Sequence, residues 1–98
     1  MASELPITVI AVCISTLHRS AGLELTLRSV ARQRDALGDR HELVAIVVSN
    51  DPADRGPADV VQRVTNQTGL RIELAVEPQR GVAPPRNRAL NIASALVG

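Results

Sequence analysis

Two short apolar runs, Ile7 to Ile14 and Leu43 to Val48, constrain this chain more than any other feature. Each is continuous rather than alternating and is rich in β-branched residues, the pattern of a strand buried on both faces of a parallel sheet. Between them, Leu23, Leu27, Val30 and Ala31 fall on one helical face while Glu24, Arg28 and Arg32 fall elsewhere, so the crossover is expected to be an amphipathic helix. Two such strands joined by a helix make a βαβ unit, which closes in one hand.

The rest of the chain repeats the alternation. Arg34 to Arg40 is expected to be a loop, and Pro57 suits the first turn of a second helix whose stripe of Val60, Val61 and Val64 runs to about Asn66. After Gly69, Leu70, Ile72, Leu74 and Val76 alternate with polar or small residues, as in a less buried edge strand. Pro84 and Pro85 precede Arg86, and a third helix is expected with Ala89, Leu90, Ile92, Ala93, Leu96 and Val97 on its apolar face. The order βαβαβα places the chain in the α/β class: a three-layer α/β/α sandwich on a parallel sheet, folded as a single domain over residues 1–98.

Composition narrows the function. With a formal net charge of +1 and no Phe, Tyr or Trp, there is neither a basic field nor an aromatic ring to stack on an unpaired base, so no nucleic-acid partner is expected. The basic residues other than histidine are all arginine, which excludes lysine Schiff bases and a Walker-A phosphate contact but leaves bidentate phosphate recognition open. Cys13 is the single cysteine and is expected to be a small apolar core residue, and a reducing cytoplasm is the expected compartment. The run Ile7 to Ile14 is too short to span a bilayer and follows Glu4 rather than a cationic segment, so no membrane segment or signal peptide is expected.

Ligands of such sheets bind outside the carboxyl ends of the strands, which puts Ser15 to Arg19, Ser49 to Asp54 and Gln79 to Asn87 on one rim. A glycine-containing loop entering the third helix brings backbone N–H groups and the positive end of the helix dipole to that rim, where Arg86 can add a charge-assisted fork to a diphosphate. Asp51 and Asp54 read as turn and cap residues rather than a metal pair, His18 as a polar contact, and His41 as a surface residue. No G-x-G-x-x-G follows the first strand and no acid ends the second, which argues against a dinucleotide site.

Three segments resemble family 2 glycosyltransferases of the GT-A fold. They are Val12 to Arg19 with Thr26 to Gln33 behind it, Glu42 to Pro52, and Arg80 to Leu90, similar to that family's Gly-Val-Ala-x-Ala-Arg-Asn-x-x-Leu. The resemblance implies a Rossmann-like half of a nucleotide-diphospho-sugar transferase fold and a nucleotide site formed by Thr16, Leu17, Arg19, Asn50, Asp51, Gly81, Arg86 and Asn87. Ser49 and Asn50 stand where the family has a pair of acids, Leu17 where it often has a tyrosine, Ser15 where it often has proline, and His18 where it has asparagine. An asparagine carboxamide there can accept from a pyrimidine N3–H and donate to its O4.

The family's DxD motif, which holds Mg or Mn on the donor diphosphate, would come after the third helix, and no DxD occurs in this sequence. The resemblance therefore implies weak binding of a nucleoside diphosphate sugar, no catalytic residue and no cofactor in this chain, and no sugar transfer by it alone. It also implies a sheet order 3-2-1 in which a fourth strand would pair with the first; without that strand the first is expected to have an open edge, so a homodimer through that edge or the third helix is expected. The alternative is a non-catalytic Rossmann-like interaction module.

Overall fold

The computed structural model describes residues 8–79 and 81–97. Its elements are β1 (Thr8–Thr16), α1 (Ser20–Leu37), β2 (His41–Ser49), α2 (Gly56–Thr68), β3 (Arg71–Val76) and α3 (Ala83–Val97). The strands form one parallel sheet in the order β1-β2-β3, so the expected α/β/α sandwich and strand order both hold. Ile7, expected to open the first strand, and Arg80, expected on the rim, lie outside the described residues, as does the side chain of Val97.

One sheet face carries α1 and α2 and the larger core. Leu23, Leu27 and Val30 of α1 and Val60 and Val64 of α2 pack there on Leu43, Ala45 and Val47 of β2, with Ile10, Val12 and Ile14 of β1 alongside. The other face carries α3, whose Ala89 is buried on Ile46 and Val48, with Ile92, Ala93 and Leu96 beside it. α3 lies chiefly over β1 and β2, with Ala75 of β3 at the margin of the same cluster. No helix among the described residues is long and apolar enough to cross a membrane.

The two apolar runs have different fates. β2 is central and Leu43 to Asn50 are all buried, as its sequence predicts. β1 is an edge, mostly half-exposed, and Cys13 is exposed instead of in the core. A continuous apolar run records how much surface a strand offers for burial, while the strand order decides how much is covered, and nothing within either run encodes that order.

β3 is the other edge, as its alternation predicts, and it is short and charged. Arg71 donates to Glu42 Oε1 and lies 3.6 Å from Glu73, while Leu74 and Val76 stay 38% and 40% exposed. α1 runs four residues into the expected loop, through Arg34 to Leu37, because Arg34 donates to the carbonyl of Thr68 at 2.8 Å and helix-compatible residues continue until Gly38, at φ 81°. α3 begins at Ala83 rather than after the prolines, since proline is tolerated within a first helical turn.

An ion-pair cluster ties α1 to α2. Glu24 accepts from Arg63 Nη2 at 2.7 Å and from Arg28 Nη2 at 2.8 Å, and these two guanidinium groups, Arg63 foremost, hold its carboxyl down from 4.5 to about 2. A carboxyl with a folded pKa below its unfolded one adds stability above the unfolded value, and that stability is lost as pH falls through the folded value. Urea midpoints are therefore expected to decline between pH 4.5 and about 2, and the Glu24→Gln variant to decline less over the same interval.

Candidate nucleotide cleft at the carboxyl ends of the strands

The three strand ends are stitched together before any ligand is considered. Asn50 N–H donates to the Thr16 carbonyl at 2.9 Å and Glu77 N–H to the Ser49 carbonyl at 2.8 Å, which carries the parallel ladder one step past the strands. The buried Asn50 carboxamide then donates from Nδ2 to the carbonyls of Glu77 at 2.7 Å and Gln79 at 2.8 Å. The loop after β3 is thus clipped to the end of β2. Both Nδ2 hydrogens are committed, so the expected donation from Asn50 to a base is not available in this arrangement, and Oδ1 remains the atom suited to accept from a ligand N–H.

These contacts frame a cleft of about 450 Å³ between the β1–α1 turn and the start of α3. Thr16, Leu17, Arg19, Asn50 and Gly81, all expected from sequence, line it, together with Ser15, Val82 and Pro85. Gly81 has φ 127°, a conformation that side chains rarely adopt, so glycine is required there by backbone rather than by space. Leu17 and Val82 are 40% and 73% exposed and give the mouth an apolar rim.

Thr16 stands out chemically. Its residue is 5% exposed, and its Oγ1 is buried with no hydrogen-bond partner among the described residues. A buried hydroxyl without a partner costs about 1–3 kcal/mol, so a ligand or water that meets it recovers that energy.

The remaining expected residues are placed elsewhere. Asp51 stands beside the cleft and not in its wall: Oδ1 accepts from Ala53 N–H at 2.9 Å and Oδ2 lies 2.9 Å from His18 Nε2. Asp54 caps the turn into α2 by accepting from Gly56 N–H at 2.9 Å, and its Oδ2 lies 3.6 Å from His18 Nδ1. His18 has φ 52° and bridges the two carboxylates, locking the β1–α1 turn against the β2–α2 turn. Sequence reading found the turn roles of both aspartates but missed this bridge, which depends on a backbone conformation that no residue pattern announces.

Asn87 lines a different, larger groove of about 870 Å³ beside β3, together with Glu77, Arg88 and Asn91. In that groove Glu77 is held below the usual carboxylate range by the Gln79 N–H and, second, by Arg88. Arg86 is exposed and lines neither space. Because α3 starts at Ala83, Pro84 and Pro85 remove N–H groups from its first turn, so its N-terminus offers fewer donors to a phosphate than a helix start normally would.

No set of three or more His, Cys, Asp or Glu side chains among the described residues could hold a metal ion, and His18, Asp51 and Asp54 are occupied with one another. In comparisons with family models, curated proteins and solved structures, the chain matches none.

Proposed function

We propose that this chain is the donor-binding part of a glycosyltransferase of the GT-A, family 2 type, and that the cleft takes the nucleoside end of a nucleoside diphosphate sugar. The observation that carries the reading is the convergence of Thr16, Leu17, Arg19, Asn50 and Gly81, chosen from sequence, around one cleft. Asn50 Oδ1 accepts from the base, Thr16 Oγ1 bonds a ribose or base oxygen, and Arg19 supplies charge toward the phosphates. Leu17 and Val82 cover the base by dispersion alone, which keeps the affinity low. A cytoplasmic location and a homodimer belong to the same reading.

Titration with uridine diphosphate, followed by amide NMR, tests it. Thr16, Asn50 and Gly81 are expected to shift together while Asn87 and Asn91 stay still, and shifts confined to Thr8, His41 and Arg71 at the opposite strand ends would overturn the placement. The Thr16→Val variant is expected to bind about five- to tenfold more weakly, matching one lost hydrogen bond, and to be no less stable than the parent without ligand.

The non-catalytic interaction module is the second reading, favoured by one observation: among the described residues β1 has a strand neighbour on one side only and carries no charged residue. It predicts self-association without any nucleotide response.

A further inference from the structure

We propose that a phosphoryl oxyanion binds in a recess of about 180 Å³ between the end of β1 and the first two turns of α1. The recess adjoins the nucleotide cleft at Ser15, Thr16 and Arg19, which line both, and has Gly22, Leu23 and Thr26 of α1 on its other side. It rests on the cleft reading only for the source of the group, which is either a diphosphate entering from the cleft or a free phosphate.

The partnerless hydroxyl lies on this side of the sheet. Side chains alternate along a strand, and Ile10, Val12 and Ile14 pack on the face that carries α1 while Ala11 packs on the face that carries α3. Thr16 continues the even series and so turns to α1, where it lines the recess. The residue is 5% exposed and its Oγ1 has no hydrogen-bond partner among the described residues. A hydroxyl has one hydrogen to give and two lone pairs, so Oγ1 can donate to an oxyanion and still accept from a ribose hydroxyl in the cleft.

The start of α1 adds donors without acceptors. Leu23 N–H makes the first bond of the helix, to the Arg19 carbonyl at 2.8 Å, and the N–H groups of Ser20, Ala21 and Gly22 before it have no acceptor among the described residues. No side chain caps this end and no acid stands in its first turn, so the positive end of the helix dipole is uncompensated there.

Gly22 makes sense only with a ligand. Its φ is not positive and a Cβ there would meet nothing within 4 Å, so neither backbone nor packing requires glycine in a helix that it weakens relative to alanine. Close approach of a ligand to the backbone does require it. Gly22 and Thr26 share one flank of α1, while Ser20 turns to α2, where its Oγ lies against Gly56 beside Asp54. No carboxylate lines the recess, in contrast to the groove beside β3 with its Glu77. Hydroxyl, backbone and guanidinium donors with no acid among them fit a phosphoryl group.

Amide NMR at constant ionic strength tests this with inorganic phosphate, uridine and uridine diphosphate in turn. Phosphate is expected to move Ala21 and Gly22 saturably, where chloride does not. Gly22→Asp offers the same donors a carboxylate of the chain's own: its thermal midpoint is expected to stay at or above the parent's, and its phosphate affinity to fall by about tenfold or more. Gly22→Ala, whose Cβ has open space, is expected to keep the fold and weaken phosphate by a smaller factor. Movement of Ala21 and Gly22 by uridine diphosphate but not by uridine assigns the group to the nucleotide, and movement by phosphate alone assigns it to a free anion; either supports the site. Ala21 and Gly22 that stay still with both phosphate and uridine diphosphate, or that respond as strongly in Gly22→Asp, overturn it. If Asn50 and Gly81 still move with uridine diphosphate, the cleft reading survives that loss; if phosphate acts at Gly22 and uridine diphosphate leaves Asn50 and Gly81 still, the recess stands and the cleft reading fails.

Discussion

Asn50→Asp is expected to destabilise the fold by about 2–5 kcal/mol, although an acid is what the resembling family carries at this position. The Asn50 carboxamide is 5% exposed and donates to two carbonyls at 2.7 and 2.8 Å. A carboxylate in its place has no hydrogen to give and sets negative oxygen against both. The loop from Glu77 to Gln79 then loses its clip to β2, and the cleft loses one wall. Urea unfolding of the variant beside the parent measures the cost. A protonated aspartic acid has one O–H to donate, so the folded variant binds its proton more tightly than the unfolded one, and the gap to the parent should narrow as pH falls from neutral toward about 4, the unfolded value, and level off below it. Equal midpoints at pH 7 would mean that the two hydrogen bonds contribute nothing.

The second large effect is in the core. Leu27 is fully buried among Leu23, Val30, Val47 and Val64, where α1 meets the central strand. Leu27→Ala removes those contacts and leaves a cavity, for an expected loss of about 2–5 kcal/mol. A domain of this size has about 5–15 kcal/mol in all, so thermal unfolding should move down by on the order of 10–30 °C. Leu25→Ala on the same helix, 71% exposed, should move it by little.

The contrast between those leucines was legible in the sequence, because the period of α1 separates Leu23 and Leu27 from Leu25 without reference to any other element. The same reasoning recovered every helix and strand and their parallel pairing. It failed on Cys13 and on the burial of β1, since the residues that cover a strand come from elsewhere in the chain. It also misplaced the start of α3, where two prolines looked like a boundary and instead occupy the first turn.

The cleft was partly legible. Topology alone brought Thr16, Leu17, Arg19, Asn50 and Gly81 to one rim, and they line one space. Arg86 and Asn87 were placed on the same rim by the same reasoning, but a helix turns its successive residues to different sides, so Asn87 faces the groove beside β3 and Arg86 faces solvent. The internal bonding of Asn50 and the partnerless hydroxyl of Thr16 depend on distances between atoms far apart in sequence, and no residue pattern contains them.

The short, ion-paired strand β3 has a consequence for the size of any assembly. A sheet with two adhesive edges has a valence of two, and each added chain exposes a fresh edge, so growth continues into a filament. Here Arg71 and Glu73 put ion-paired charge along the β3 edge, which resists pairing with another strand. In the proposed homodimer, if joined through β1, β3 would form both outer margins, and a closed two-fold pair of that kind would have nothing left to recruit a third. Light scattering over a wide concentration range should therefore rise to a plateau at twice the monomer mass instead of climbing without limit.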